Sequence, residues 1–382
     1  MKSLKSALVL IFVLIFSQIA AAAPFEIDAS KAVLLDFDSG QILFSQNGEK
    51  EHVPASLVKV MTMYVAFDLI KEGRAALDDT TTVTEDAWRM IGSRMFLEPG
   101  EIVTLEELLY GIAVVSGNDA CVALAQALAG SENLYVKWMN EKAQSLGLNL
   151  SFTDVHGLAD TNRITAEDMA LLVRSYLKEH PEALAYHREP FFAYQPRSAK
   201  SPIKQGNRNG LLKTFEGADG LKTGHLQAAG YNLVGTAVQN NRRLVSVILG
   251  AESERRREEE TAKLLSYGFR SFDLLNISRF LENKEITVYK GRQRKVALTV
   301  AEPYVTLPAG TNEGVSASIQ AKDVEAPVKK GQEVGIFKIL LQDKVIKETP
   351  LLAGEDVARG GFLRVAWDSL VLFFKELIKK HR

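Results

Sequence analysis

The sequence predicts an α+β fold, and three observations carry that expectation. Helical periodicity dominates the first half of the chain, from Ser56 to about His180. From Ala218 the pattern changes to apolar runs separated by short polar turns, which predicts an antiparallel sheet rather than parallel βαβ units. From about Asn276 to Ala353 only short β runs punctuated by Gly and Pro remain, predicting a second, smaller, mostly β domain. A chain of 382 residues is long enough for two or more packed domains.

In order, residues 1–22 read as a secretory signal peptide. Lys2 and Lys5 precede the apolar run "ALVLIFVLIF" and a block of alanines, and Pro24 places cleavage after Ala22 rather than Ala23. The run is short for an uncleaved anchor, which needs about 20 residues, and no cysteine follows it where a lipid would attach. Residues 23–275 form the first domain. "KAVLLDFDSGQILFSQN" reads as two strands around Asp38, Ser39 and Gly40. Ser56 to about Ala76 reads as a helix, and "LEELLYGIAVVSGNDACVALAQALAG" as two helices interrupted at Ser116 to Asn118. Two amphipathic helices follow, the second capped by Thr165 with Asp168 at the capping-box position. "GLKTGH", "YNLVGTAVQ" and "LVSVILGA" give the sheet, and "EEETAKLLSYGFRSF" a closing helix.

Residues 276–354 carry no clustered His, Asp or Ser that would suggest chemistry, so their expected role is to space the first domain from something else. Residues 355–382 identify a candidate. On a helical wheel Leu363, Ala366, Trp367, Leu370, Val371, Phe373, Phe374, Leu377 and Ile378 share one face, while Arg364, Asp368, Lys375, Glu376 and Lys379 lie opposite. The helix is too short in charge-free residues to span a bilayer. It is expected to lie in the membrane interface with basic residues toward anionic headgroups. Docking on the second domain, or a dimer contact, is the competing reading.

Composition limits the function. The 46 basic and 47 acidic residues leave a formal net charge of −1, so nothing polycationic recruits nucleic acid. Cys121 is the single cysteine. It allows no internal disulfide and no thiolate metal cluster, and it reads as a buried helix residue rather than a catalytic thiol.

The chemistry begins at "VPASLVKVMTMYV". Positions i and i+3 of a helix share a face, so Ser56 and Lys59 point the same way. A buried, neutral lysine beside a serine hydroxyl is a base beside a nucleophile. Alone the pattern is common. "SGN" at Ser116 to Asn118 adds a hydroxyl and an amide in a helix break. "KTG" at Lys222 to Gly224 adds a strand on which Lys222 and Gly224 share one face and Thr223 takes the other. The glycine would let a peptide backbone approach the strand edge.

These motifs, spaced by about 60 and about 106 residues, resemble the signature set of class A β-lactamases and penicillin-binding proteins. With "PASLVKVMT", "SGNDA", "NRNGLL", "DGLKTGH" and "AGYNLV", the chain resembles the D-alanyl-D-alanine carboxypeptidases, the low-molecular-mass penicillin-binding proteins of family S11. The resemblance covers nearly the whole chain. It implies a penicillin-binding, serine β-lactamase-like domain of antiparallel sheet and helical lobe, followed by a small β domain and an amphipathic C-terminal anchor. Val58 departs from the family's usual threonine.

By resemblance, Ser56 is the acyl-forming nucleophile, Lys59 its general base, and Ser116 a proton relay toward the leaving amine. Asn118 would bond the substrate's peptide. Lys222 and Thr223 would hold the terminal carboxylate and support the low pKa of Lys59. Gly224 belongs to the same strand, and the oxyanion hole would be the backbone N–H groups of Ser56 and His225. Arg208 and Arg257 match family arginines near the cleft, although Arg257 also reads as part of a solvated charge run. The His225 side chain is not read as a base, and His156 receives no role. The resemblance implies no metal or cofactor, a peptidoglycan stem pentapeptide as substrate and β-lactam antibiotics as covalent inhibitors. The site of action would be the periplasm, at the outer face of the cytoplasmic membrane. A serine β-lactamase would need a deacylating glutamate, and no convincing "ExxLN" lies between "SGN" and "KTG". A DD-endopeptidase of the same fold and a catalytically quiet penicillin-binding scaffold are the competing readings, and the intact Ser56, Lys59 and Lys222 argue against the scaffold.

Overall fold

The computed structural model describes residues 25–380, so the signal-peptide expectation lies outside the described residues. Strands β1 (Lys31–Asp36) and β2 (Ile42–Gln46) form the expected hairpin. Helix α1 (Val58–Lys71) follows a 3₁₀ turn at Ala55–Leu57 and ends several residues before Ala76. Helices α2 (Leu105–Val114) and α3 (Asn118–Ala129) flank the interruption at Ser116. After α4 (Glu132–Ser145) and α5 (Ala166–Glu179) come β3 (Ala218–Leu226), β4 (Gly230–Gln239), β5 (Arg242–Ala251) and α6 (Glu254–Ser271).

The five strands form one antiparallel sheet in the order β2-β1-β5-β4-β3, which leaves β3 at an edge. Both faces are covered, and strand alternation divides the residues between them. Val33, Leu35, Val245, Val247 and Leu249 pack with the helical lobe, while Ala32, Leu34, Leu244 and Ile248 pack with Leu264 and Leu265 of α6. Helix α1 runs through the lobe buried almost all round, from Val58 to Phe67. A helix apolar on every side is a core helix. Burial of each large side chain contributes about 1.5–3 kcal/mol, so the N-terminal end of α1 is held as firmly as anything in the molecule.

The Thr165 cap differs in detail from the expectation. Its hydroxyl accepts from Asp168 N at 3.0 Å but donates to the Asp168 carboxylate at 2.8 Å. The reciprocal capping box occurs at Thr104 and Glu107, at the start of α2.

Strand β6 (Phe272–Asn276) pairs with β9 (Tyr304–Pro308). Strands β7 (Glu285–Tyr289), β8 (Lys295–Thr299), β10 (Val315–Ala321), β11 (Val324–Glu325), β12 (Glu333–Leu341) and β13 (Lys344–Ala353) form a second sheet around its own core, centred on Val288, Phe337 and Leu351. The two parts are tied together. Ser39 Oγ lies 2.6 Å from Thr306 Oγ1, Gln41 Oε1 accepts from Thr306 N at 2.6 Å, and Arg174 pairs with Glu302 at 3.0 Å.

Helix α7 (Phe362–Lys380) closes the described chain. It docks on the second sheet by its polar side. Asp368 is buried and accepts from Lys290 N at 2.5 Å, Arg364 pairs with it at 3.1 Å, and Lys375 Nζ reaches the Tyr289 hydroxyl at 2.5 Å. Arg364 lies against the protein beside the Asp368 carboxylate, while Lys375 meets the Tyr289 hydroxyl and stays exposed. The apolar side stays exposed, including Phe362, Leu363, Trp367, Leu370, Phe373 and Phe374. Among the described residues no helix is long and apolar enough to cross a membrane.

Candidate active site

Ser56 sits in the 3₁₀ turn that opens α1, where residues three apart eclipse one another. Lys59 Nζ accordingly lies 3.0 Å from Ser56 Oγ. The amine also meets Asn118 Oδ1 at 2.8 Å and the backbone carbonyl of His156 at 2.5 Å, and Lys59 is 0% exposed. Burial is the main cause that pulls its pKa down. The charge of Arg208 adds to the fall, while Cys121, Asp154 and Asp119 oppose it.

A second lysine–serine pair stands beside the first. Ser116 takes a left-handed backbone conformation (φ 61°) between α2 and α3, which non-glycine residues seldom adopt. Lys222 Nζ lies 3.0 Å from its Oγ and 3.2 Å from Thr223 O. Lys222 is 3% exposed, and burial drives its pKa well below the ordinary lysine value, helped by the positive charges of Lys59, Arg208 and Arg257. Two ammonium groups in one buried space are mutually unfavourable, which is why the charge of Lys59 helps lower the Lys222 pKa.

The cleft is a cavity of about 300 Å³ lined by Ser56, Gly92, Ser93, Ser116, Arg208, Thr223, Gly224, His225, Glu254 and Arg257. Thr223 lines it even though alternation assigns it to the face opposite Lys222. Strand β3 is the sheet edge, and that edge borders the cleft. At Gly224 the strand presses on the serine turn: a Cβ would lie 2.9 Å from Pro54 O and 3.1 Å from Ser56 N, so only glycine permits this approach. His225 stacks on Tyr231 with ring centroids 4.1 Å apart.

Arg257 resolves differently from its neighbours in the charge run. Arg255 is exposed, but Arg257 is buried in the cavity wall, and burial lowers its pKa. Its Nη2 donates to Arg208 O at 3.3 Å and lies 3.7 Å from the Glu258 carboxylate, while among the described residues its buried Nε has no hydrogen-bond partner. Cys121 is buried, and burial pushes its thiol up to about 12, so it is inert. Val58 turns into the core and takes no part in the cavity.

Sequence reasoning missed the loop that carries His156. Asp154 Oδ1 accepts from His156 N at 3.1 Å and Gly157 N at 2.5 Å, and Oδ2 accepts from Ala159 N at 2.7 Å. This carboxylate shapes the turn that presents the His156 carbonyl to Lys59. Gly157 has φ +85°, and a Cβ there would stand 2.0 Å from Ala55 O. An aspartate three residues before a glycine in "DVHGLAD" is a turn signal that could have located the loop. The His156 side chain faces Asp154 and Glu132, and burial lowers its pKa to about 4.

Asp119 was missed as well. Its carboxylate accepts from Met95 N at 2.8 Å, Phe96 N at 2.9 Å and Leu97 N at 3.2 Å, fastening the loop that includes Gly92 and Ser93. Elsewhere, Asp68, Glu179 and His180 gather their polar atoms closely, but Lys142 bridges the two carboxylates at 2.9 and 3.1 Å. That cluster is an ion-pair network.

Comparison with known proteins agrees with this geometry. The D-alanyl-D-alanine carboxypeptidase family (peptidase S11) matches residues 17–253, and the C-terminal domain of penicillin-binding protein 5 matches residues 278–359. The chain belongs to the D-alanyl-D-alanine carboxypeptidase family. It is a serine hydrolase of that family, similar to the carboxypeptidase DacC of Escherichia coli, with 39% identity over 92% of this chain and 89% of the relative. Among solved structures, penicillin-binding protein 5 of Haemophilus influenzae superimposes with a TM-score of 0.80 at 37% identity, covering 88% of this chain and 100% of the other. The ampicillin-bound penicillin-binding protein D2 of Listeria monocytogenes gives a TM-score of 0.57 at 27% identity, covering 64% of this chain and 98% of the other. As a carboxypeptidase family member, the chain carries its seryl and lysyl motifs in one cleft of the first domain, and the β-rich second domain matches the family's accessory domain.

Proposed function

We propose that this D-Ala-D-Ala carboxypeptidase removes the terminal D-alanine from peptidoglycan pentapeptides through an acyl-enzyme on Ser56. The observation that carries this reading is the contact between a fully buried Lys59 amine and the Ser56 hydroxyl, at 3.0 Å. Lys59, neutral when the substrate arrives, takes the hydroxyl proton as Ser56 Oγ attacks the carbonyl carbon of the penultimate D-alanine. The backbone N–H groups of Ser56 and His225 receive the developing oxyanion. Lys59 hands that proton on, through Ser116 with Lys222 behind it, to the nitrogen of the departing D-alanine as the peptide bond breaks, so Lys59 is neutral again. Water then attacks the ester, Lys59 takes a proton from the water and returns it to Ser56 Oγ as the ester breaks, and Ser56 is regenerated.

Asn118 holds both Lys59 and the loop at Ile91, whose carbonyl accepts from its Nδ2 at 2.6 Å, so it positions the base as well as bonding the substrate peptide. Thr223, Arg208 and Arg257 receive the terminal carboxylate, and the unpartnered Arg257 Nε supports that assignment. Lys222 supplies positive charge from behind. A β-lactam, whose strained amide mimics the scissile bond, acylates the same serine.

The proposed organisation is a signal peptide at 1–22, the peptidase domain at 23–275, the β domain at 276–354 and an anchor at 355–382. The exported enzyme works in the periplasm, held peripherally on the cytoplasmic membrane by the apolar face of α7. Mass spectrometry after incubation with benzylpenicillin tests the nucleophile. A single adduct on the peptide containing Ser56, absent in Ser56→Ala, is expected, and an adduct on any other residue would refute the assignment.

A further inference from the structure

A second groove adjoins the catalytic cavity. Its volume is about 430 Å³, its walls are Trp88, Arg89, Met90, Ile91, Gly92 and Arg94, and it shares Gly92 with the cleft. Its apolar lining faces solvent, with Trp88 43% and Ile91 72% exposed. Large side chains in a carboxylate-anchored loop have no folding reason to stand in water together. The loop is held in place. Asp119 binds three of its backbone N–H groups, Asn118 N donates to Ser93 O at 2.7 Å, and Gln205 Nε2 donates to Arg94 O at 3.0 Å.

The two arginines of the groove differ. Arg89 is paired with Glu85 at 2.5 Å. Arg94 lies over the Phe96 ring at 5.3 Å and, among the described residues, pairs with no carboxylate. Its guanidinium is presented beside an apolar wall with its charge uncompensated. The cleft itself gives the direction of the ligand. Arg208 and Arg257 receive the substrate's terminal carboxylate, so the peptide upstream of the scissile bond must leave the cleft elsewhere, and the groove opens at Gly92.

We propose that this groove holds the stem peptide upstream of its D-Ala-D-Ala end, with Trp88 and Ile91 covering aliphatic segments and Arg94 pairing with an upstream free carboxylate. The inference rests on the carboxypeptidase reading above. Arg94 makes this site selective for acidic over amidated stem peptides, because a planar guanidinium gains two parallel hydrogen bonds from a carboxylate and not from a carboxamide.

The test uses three substrates: a synthetic stem pentapeptide with a free α-carboxylate on its second residue, the same peptide amidated there, and the short diacetyl-L-lysyl-D-alanyl-D-alanine, which ends before the groove. Arg94→Ala is expected to lower kcat/KM about tenfold on the acidic pentapeptide, chiefly through KM, and to leave the amidated and short substrates unchanged. Arg94→Lys should recover part of the loss. Trp88→Ala should weaken both pentapeptides alike and spare the short substrate, whose unchanged rate also reports an intact fold. Equal effects of Arg94→Ala on all three substrates, or none on the acidic one, would overturn the proposal. If the unaltered enzyme releases D-alanine from none of the three, the carboxypeptidase reading itself fails and takes this inference with it.

Discussion

In the cleft, Lys59 and Lys222 are buried at 0% and 3% exposure, while along α7 Trp367 and Phe373 stand 64% and 60% in solvent. The two regions depart from the usual partition of side chains in opposite directions. Burying an amine opposes its protonation, and burial lowers the pKa of both lysines in the first domain. Exposing aromatic rings leaves unfavourable apolar surface in water, and α7 does so on one side while its other side is latched through Asp368. Neither departure aids folding, and both are supported by well-packed surroundings: α1 and its core under the lysine, the second sheet under the helix.

The comparison is broken most severely at Lys59. Lys59→Met keeps the volume but removes the base, and D-alanine release should fall by about 10³-fold. The pH dependence sharpens this point. Catalysis needs the neutral amine, so activity rises with pH as Lys59 loses its proton, on a limb lying below the ordinary lysine value of 10.5. Arg208→Ala removes a positive charge that lowers this pKa and should move the limb to higher pH. A limb unmoved by Arg208→Ala and retained in Lys59→Met would mean that another group titrates.

Next in size is Gly157→Ala. A Cβ 2.0 Å from Ala55 O, at φ +85°, cannot be accommodated without moving the serine turn or the His156 carbonyl. A loss of about 3 kcal/mol in stability, read by denaturant unfolding, should accompany weakened penicillin acylation. Full stability and activity would show that the loop does not brace the nucleophile.

The smallest effects concern α7. Trp367→Glu and Phe373→Glu should each lower binding to vesicles containing anionic lipid by about tenfold or more, with carboxypeptidase activity on soluble peptides unchanged. Undiminished sedimentation with vesicles would contradict the anchor.

Much of this was legible in the chain because the decisive residues are local. Ser56 and Lys59 are three positions apart, the break at Ser116 punctuates a clear helix pattern, and "KTG" lies within a clear strand pattern. The family resemblance then joined motifs that no periodicity could bring together. What stayed hidden depends on backbone atoms and on tertiary approach. The His156 carbonyl is invisible in a side-chain reading, Asp119 acts on N–H groups more than twenty residues upstream, and Gly157 matters only because Ala55 folds against it. The residues alone left Arg257 in a charge run with Arg255; the resemblance singled it out, and its burial shows only once the helix is seen against the cleft. That Thr223 lines the cleft was hidden from simple alternation, which does not register that a strand is at the sheet edge. A helical wheel contains no information about the Lys290 backbone or the Tyr289 hydroxyl, which the polar side of α7 meets.

The central claim is that Ser56, activated by a buried lysine, cleaves the terminal D-alanine. Free D-alanine released from a purified muropeptide ending in D-Ala-D-Ala tests it most directly, using the enzyme beside a folded Ser56→Ala variant. Release by the enzyme and none by the variant is the predicted result. Release by both, or by neither while penicillin is still bound or hydrolysed, would contradict it.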